Sequence, residues 1–79
     1  MAPTTVTNSI RRLRFEHGEM TQQDLAEKVG VTRQTVNAIE AGKYSPSLEV
    51  AFRMAEVFGV RVDEVFHYGT PEKQRQGKK

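Results

Sequence analysis

The stretch that most constrains this chain spans residues 21–43, TQQDLAEKVGVTRQTVNAIEAGK. Thr21 and Thr32 stand where helix N-caps are expected, since each precedes polar residues that suit a first helical turn. Gly30 falls between the two segments, where glycine can adopt the positive φ that side chains disfavour. The stretch therefore predicts two short helices joined by a tight turn.

The apolar residues of this stretch recur at helical spacing. Once the chain turns at Gly30, they can point into one small core: Leu25, Val29, Val31, Val36 and Ile39. Ala26 also faces that core, where a larger side chain would push the two helices apart. The spacing thus predicts that the helices pack against each other as a helix-turn-helix.

This pattern resembles the DNA-binding helix-turn-helix, and the matching positions are Gln22, Leu25, Ala26, Val29, Gly30, Val31, Val36 and Ile39. More narrowly, residues 21–60 resemble the phage-repressor/Cro-like (XRE) family of transcriptional regulators, and the likeness extends from about residue 8 to residue 68. The resemblance implies an all-α fold, a compact five-helix bundle with a repressor-like DNA-binding domain. Its third helix enters the major groove of double-stranded DNA.

A chain of 79 residues leaves room for one domain, which we assign to residues 8–68. Residues 1–7 have no helical period and no Lys or Arg, so we expect a flexible arm rather than a DNA contact. Residues 69–79 lack apolar side chains and are expected to form a disordered basic tail. Whether that tail attracts DNA phosphates or is idle stays open.

Charge is distributed unevenly along the chain. The net charge is +2 and residues 69–79 carry +3, so residues 1–68 carry −1 and a DNA-binding surface must be a local patch. No apolar run approaches the roughly 18 residues of a membrane span, and the polar N-terminus does not resemble a signal peptide. We expect a cytoplasmic protein.

No catalytic or metal-binding pattern is present in the sequence. There is no cysteine, and neither His17 nor His67 belongs to a metal-ligand or nucleophile-base motif. We therefore expect no enzyme, cofactor or small-molecule ligand. Without disulfides, a core this small must be held by helix packing or helped by oligomerisation.

Three further helices are predicted around the central pair. The first spans residues 8–17, with Ile10, Leu13, Phe15 and His17 contributing to its apolar stripe. The fourth runs from Leu48 to Phe58 after the Ser47 cap. We expect most of its surface to be buried, because it has a broad apolar arc formed by Leu48, Ala51, Phe52, Ala55 and Phe58. The fifth lies around residues 62–66 and has a weaker start, since Arg61 replaces the Ser or Thr usual in the family.

The third helix presents four side chains suited to reading bases. At 100° per residue, Val36 and Ile39 share one face and leave the other to Arg33, Gln34, Asn37 and Ala38. Arg can form a fork onto guanine, Gln and Asn can pair with adenine, and Ala can touch the thymine methyl group. This cluster alone would also suit a merely soluble helix face.

The expected phosphate contacts are Gln22, Thr32, Lys43 and Tyr44. Gln22 stands at the start of the second helix, where backbone amides also face an anion, and the resemblance assigns it to phosphate. Simple solvent exposure of a polar first turn is the alternative. Tyr44 can equally hydrogen-bond a phosphate or cover the core with its ring.

The resemblance also implies an ion pair between Arg14 and Glu40 that ties the first helix to the third. The residues alone equally allow two ordinary surface charges. We further expect a homodimer on a two-fold symmetric operator, because the C-terminal part has more apolar surface than its short helix needs. The expected interface residues are Val60, Val62, Val65, Phe66 and Tyr68.

The sequence thus predicts a sequence-specific DNA-binding transcriptional regulator whose recognition helix spans about residues 33–41. The alternative is an antitoxin-like module that neutralises a partner protein, with DNA binding secondary. Gel-shift activity of the purified protein favours the regulator, whereas stable co-purification with an unrelated small protein favours the alternative.

Overall fold

In the part of the chain that the structure describes, five helices form the body of the molecule and a short strand flanks them at each end. The computed structural model describes residues 5–43 and 45–69. In chain order the elements are β1 (Val6–Asn8), α1 (Ile10–Glu16), α2 (Gln22–Val29), α3 (Arg33–Glu40), α4 (Leu48–Phe58), α5 (Val62–Val65) and β2 (Phe66–Tyr68).

Side-chain caps fix where α2, α3 and α4 begin. Thr21 accepts a hydrogen bond from the Asp24 amide at 2.9 Å, and the Asp24 carboxylate accepts one from the Thr21 amide at 3.3 Å. This reciprocal pair is a capping box, which satisfies two amides that the helix leaves unpaired. Thr32 and Ser47 accept from the amides three residues later in the same way, at 3.1 and 3.2 Å.

The turn between α2 and α3 depends on Gly30, whose φ is +91°. A side chain in this left-handed conformation costs about 1–2 kcal/mol. A Cβ added at Gly30 would also lie 3.2 Å from the guanidinium of Arg53, which itself donates to the Val29 carbonyl at 3.0 Å. The positive φ therefore favours glycine here, and a Cβ would in addition require the Arg53 guanidinium to shift by a few tenths of an ångström.

A two-stranded antiparallel sheet corrects the all-α prediction. β1 pairs with β2, so that Val6 lies opposite Tyr68 and Asn8 lies opposite Phe66. Val6 and Thr7 therefore belong to a strand, although the sequence analysis assigned them to the flexible arm, and α1 starts at Ile10 rather than at residue 8. Strands of three residues are too short to show the alternation that identifies a strand in sequence.

One core holds the helices together. Its buried members come from every helix and include all but one of the five apolar residues predicted for the helix-turn-helix, Val31 being only partly buried. They are Ile10, Leu13, Leu25, Ala26, Val29, Val36, Ile39, Ala51, Met54, Ala55, Phe58 and Val65.

Three large apolar side chains that the sequence assigned to this core are exposed instead. Phe15 is 67% exposed, Leu48 is 72% exposed and Phe52 is 54% exposed. The core needs only a narrow stripe of α1 and α4, so the apolar arcs read from the sequence were too wide. His17 is exposed at the surface, and its ring nitrogens lie 2.8 and 3.0 Å from the carbonyl oxygens of Leu13 and Phe58.

The fifth helix is short and lacks a side-chain cap. Arg61 precedes it and makes no capping hydrogen bond, as the sequence indicated, although Asp63 and Glu64 in the first turn suit the helix dipole. The helix ends at Val65, and strand β2 begins at the next residue, Phe66. This short connection brings the end of the fold back to strand β1.

Candidate nucleic-acid interface

The outward face of α3 carries the four residues predicted to read bases. Arg33, Gln34 and Asn37 are exposed and Ala38 is half-buried, while Val36 and Ile39 on the opposite face are buried. Lys43, predicted as a phosphate contact, lines the same shallow depression as these four side chains. The structure thus brings a Lys, an Arg and two amides together on one surface.

This surface contains hydrogen-bond donors and no exposed carboxylate from α3. The helix has one acidic residue, Glu40, whose side chain is only 13% exposed and paired with Arg14. Arg33 and Lys43 supply positive charge, and the amides of Gln34 and Asn37 can donate or accept. The net charge of the folded part is unfavourable to DNA, but the local charge on this face is favourable.

Arg14 and Glu40 connect α1 to α3, the helix predicted to enter the major groove. The guanidinium binds the carboxylate through two hydrogen bonds, Nε to Oε1 at 3.1 Å and Nη2 to Oε2 at 2.9 Å. A third nitrogen, Nη1, donates to the Met20 carbonyl at 2.8 Å. Both side chains are less than a fifth exposed, so this bidentate pair is shielded from the screening that weakens surface ion pairs.

Gln22 extends this connection to Asn37 on the outward face of α3. Its Nε2 donates to the Glu40 carboxylate at 3.3 Å, and its Oε1 accepts from the Asn37 amide at 3.2 Å. The chain Arg14–Glu40–Gln22–Asn37 thus joins three helices and orients one of the side chains predicted to read bases. Gln22 is predicted to contact a phosphate, and its Nε2 keeps a second proton for that purpose.

Thr32 lies at the start of α3 and is exposed. Its Oγ1 accepts from the Thr35 amide at 3.1 Å and lies 3.0 Å from the Thr35 hydroxyl. The predicted phosphate contact at Tyr44 lies outside the described residues, as do residues 1–4 of the expected arm and residues 70–79 of the expected tail.

The side chains predicted for a dimer interface fall into three classes. Val65 is fully buried in the core of the single chain, so it cannot serve as an interface residue in this conformation. Val60, Val62 and Phe66 pack against the core with part of their surface left exposed, and Tyr68 is 69% exposed.

Two apolar residues that sequence reasoning placed in the core extend this surface. Leu48 lines an apolar groove with Val6, Pro46, Ala51, Val62 and Phe66, and Phe52 lies one helical turn along α4 from Leu48. We call the groove together with Leu48 and Phe52 the apolar face. Helical spacing could have grouped Leu48 with Phe52, but it could not have shown that the core leaves them uncovered.

Asn8 is a contact residue that the sequence analysis missed. The sequence analysis assigned it to the first helix, whereas in the structure it is the last residue of strand β1. Its side-chain amide donates to the carbonyls of Ile39 and Glu40. No short-range pattern indicates such a contact, because 31 residues separate Asn8 from Ile39.

The described part of the chain has no helix long and apolar enough to cross a membrane. Within residues 5–43 and 45–69, no group of three or more His, Asp or Glu side chains is arranged to hold a metal ion.

A helix-turn-helix family model matches residues 10–65. The match therefore begins with the first residue of α1 and ends with the last residue of α5, and both strands lie outside it.

Several curated proteins are similar to this chain. A protein of Methanocaldococcus jannaschii, named as the uncharacterized HTH-type transcriptional regulator MJ0272, is 49% identical over 65 residues, which cover 82% of this chain and 97% of that protein. The HTH-type transcriptional regulator YgzD of Bacillus subtilis, also named as uncharacterized, is 46% identical over 59 residues, covering 75% and 88%. The cryptic phage CTXphi transcriptional repressor RstR of Vibrio cholerae is 36% identical over 59 residues, covering 75% and 52%.

A solved structure shares the fold. The crystal structure of the hypothetical transcription factor NHTF from Neisseria superimposes with a TM-score of 0.67 at 25% identity, covering 85% of this chain and 74% of that one.

Proposed function

This chain belongs to the helix-turn-helix family of XRE-type transcriptional regulators, and from that membership we propose that it binds double-stranded DNA sequence-specifically through helix α3. The observation that carries this proposal is the outward face of α3. Arg33, Gln34 and Asn37 are exposed there beside Lys43, and the single carboxylate of the helix is turned away and paired. A surface of this composition matches base edges and phosphates in a major groove.

The two kinds of contact have different tasks. Arg33, Gln34, Asn37 and Ala38 read base edges, with Arg33 and Gln34 in the first turn of the helix that docks in the groove. The contacts to phosphate come from Gln22, Thr32, Lys43 and Tyr44, and they set the orientation of the domain on DNA. Specificity then depends on the first group and affinity at all sites on the second.

We also propose that the protein acts as a homodimer on a two-fold symmetric operator. The apolar face supports this, since its members Leu48 and Phe52 are each more than half exposed and its groove is lined mainly by apolar side chains. Tyr68, which lies opposite the groove residue Val6 in the sheet, is also more than half exposed. Contiguous exposed apolar surface of this kind marks interaction sites. A second copy of the chain supplies the same surface, as an isologous interface requires.

Selection of bound duplexes from a random pool, with the purified protein alone, tests the function directly. We expect enrichment of one motif with two inverted half-sites whose centres lie about 10 base pairs apart, one turn of DNA. Recovery of no motif would contradict DNA reading. Stable co-purification with an unrelated small protein would then favour the partner-neutralising alternative.

A further inference from the structure

Asn8 is the last residue of β1, and its side chain bridges two helices. Its Nδ2 donates to the carbonyl oxygens of Ile39 at 3.0 Å and Glu40 at 3.3 Å, which lie at the C-terminal end of α3. Its Oδ1 accepts from the Ile10 amide at 3.1 Å, at the first residue of α1. Both ends of one amide are therefore used, and they join the start of α1 to the end of the recognition helix.

The end of α3 is already capped without Asn8. Gly42, with φ +76°, donates its amide to Ile39 at 3.0 Å, and the Lys43 amide donates to Ala38 at 2.9 Å. These two bonds form the Schellman motif, which satisfies helix carbonyls locally. The Asn8 side chain adds a hydrogen bond from a distant element to a helix end that already has these local bonds. We therefore expect Asn8 to affect the position of the last turn of α3 more than its formation.

The contact has a rigid support. Asn8 lies opposite Phe66 in the sheet, and the next residue, Ser9, donates its amide to Val65 at 2.9 Å and places its hydroxyl 3.1 Å from His67 Nε2. The donor that holds α3 is thus fixed to strand β2, which contributes Phe66 to the apolar face.

The other attachments of α3 come from different elements. Arg14 of α1 holds the Glu40 side chain, and Gln22 of α2 holds Asn37. Asn8 is the attachment from the sheet, and it acts on the backbone of the last turn. Loss of this contact leaves the side-chain attachments in place but frees the end of the helix to tilt.

We propose that Asn8 is a positioning residue for DNA reading: it holds the C-terminal end of α3 so that Asn37 and Ala38 meet their base edges. The inference rests on the proposed function, because it concerns how accurately α3 is presented to the groove. Small displacements matter here, since a bidentate contact to a base edge requires hydrogen-bond distances and angles to be met together.

Two variants of Asn8 separate the contact with α3 from the contact with α1. Asn8→Asp keeps the shape and the acceptor for the Ile10 amide, but it turns a carboxylate oxygen towards two carbonyl oxygens at the negative end of the helix. Asn8→Ser also keeps an acceptor for a nearby amide, and its side chain is too short to reach α3. Ser9→Ala is the matched control, because it removes the hydrogen bond between the Ser9 hydroxyl and His67 of β2 and leaves the α3 contact intact.

The measurement is the ratio of dissociation constants for the selected operator and its single-base variants, at temperatures where circular dichroism shows each protein fully folded. For both Asn8 variants we expect discrimination to fall about 3- to 10-fold at the base pairs facing Asn37 and Ala38, within what one base contact supplies. Discrimination by Arg33 at the other end of the helix should change less. Ser9→Ala should lower the melting temperature and keep every ratio.

Unchanged ratios in both folded Asn8 variants would overturn the inference, even if their melting temperatures fell, since that result describes a merely stabilising contact. If Asn8→Asp does not fold, Asn8→Ser alone decides the question. A parent protein that shows no sequence preference would overturn the proposed function itself and the inference with it. The parent and the variants therefore report on the two claims separately.

Discussion

The residues that we propose to contact DNA differ in how far their side chains are already oriented in the free protein. Asn37 is held by Gln22, which is held in turn by Glu40 and Arg14. The side chains of Arg33, Gln34 and Lys43 make no hydrogen bond or ion pair with any residue in 5–43 or 45–69. Binding must order these unpartnered side chains, whereas Asn37 is already oriented.

The lack of partners at Arg33 and Lys43 yields a contrast that can be measured. Arg33→Ala should cost about 1–3 kcal/mol at its guanine and relax the preference there. Lys43→Ala should weaken binding to all sequences nearly uniformly, because a phosphate contact carries no sequence information. Titrations of the operator and of one unrelated duplex with both variants test the difference.

Stability provides the control for this contrast. Both side chains are exposed and neither contributes to the core, so each variant should unfold within about 0.5 kcal/mol of the parent. If folded Arg33→Ala protein discriminated between sequences as well as the parent does, Arg33 would not be a base-reading residue.

At the scale of the element, helix α1 presents two adjacent arginines in different states. Arg12 forms an ion pair with Glu16, with Nη1 and Oε2 3.3 Å apart. The Arg11 side chain forms no ion pair or hydrogen bond within the described ranges, and it lines an open cleft together with Arg12, Gln22, Asn37 and Glu40. Arg12 and Glu40 each have an ion-pair partner, so Arg11 brings the unpaired positive charge to the cleft that also holds Gln22, the residue proposed to contact phosphate.

We predict that Arg11 makes a phosphate contact and that Arg12 does not. Arg11→Ala should lower the slope of log K against log salt by about 0.9, the change expected for one lost phosphate contact. Arg12→Ala should leave the slope nearly unchanged, because Glu16 compensates its charge. A slope for Arg11→Ala equal to that of the parent would place Arg11 outside the DNA interface, and a lowered slope for Arg12→Ala would add Arg12 to that interface.

The sequence was sufficient to predict α2, α3 and α4, because residues at or next to the ends of these helices determine where they begin and end. Thr21, Thr32 and Ser47 supply caps within three residues of the amides that they satisfy, and Gly30 and Gly59 adopt the left-handed conformation at the helix ends. The bounds that the sequence predicts for the fourth helix, Leu48–Phe58, are the bounds of α4 in the structure. Interactions over so few residues depend little on the rest of the fold.

The features that the sequence did not predict depend on contacts over long separations. β1 forms only because β2 lies beside it, and about 60 residues separate the paired positions. Phe15, Leu48 and Phe52 are large apolar residues of the kind that usually form a core. Their exposure is determined by how α1 and α4 pack in the folded protein. The two errors are related, since Leu48 lies beside the missed sheet in the apolar face.

At the scale of the whole molecule, the sheet and α4 together determine which surface a second copy can cover. The apolar face combines side chains from β1, β2, α5 and the start of α4, so it exists only in the folded chain. Of the interface residues expected from sequence, Val65 is committed to the core. Leu48 and Phe52, which the sequence analysis placed in the core, are exposed and available instead. The interface that we propose is therefore displaced towards α4.

We predict that this face mediates dimerisation, with the two recognition helices about 34 Å apart across one turn of DNA. Substituting Leu48→Gln and Phe52→Gln together should convert the dimer to a monomer, because it places polar groups in an interface that apolar contact holds together. Phe15→Gln is the matched control, since Phe15 is as exposed as Leu48 but lies on α1 and outside the face. Sedimentation equilibrium of the free proteins measures the three masses.

The parent and Phe15→Gln should sediment as dimers, and the double variant as a monomer with the circular dichroism spectrum of the parent. On the selected operator the double variant should still occupy single half-sites, because its α3 is intact, but it should lose the cooperative gain from binding two half-sites together. A parent that stays monomeric at high concentration, both free and with two half-sites available, would show that the two-fold symmetry does not come from this face.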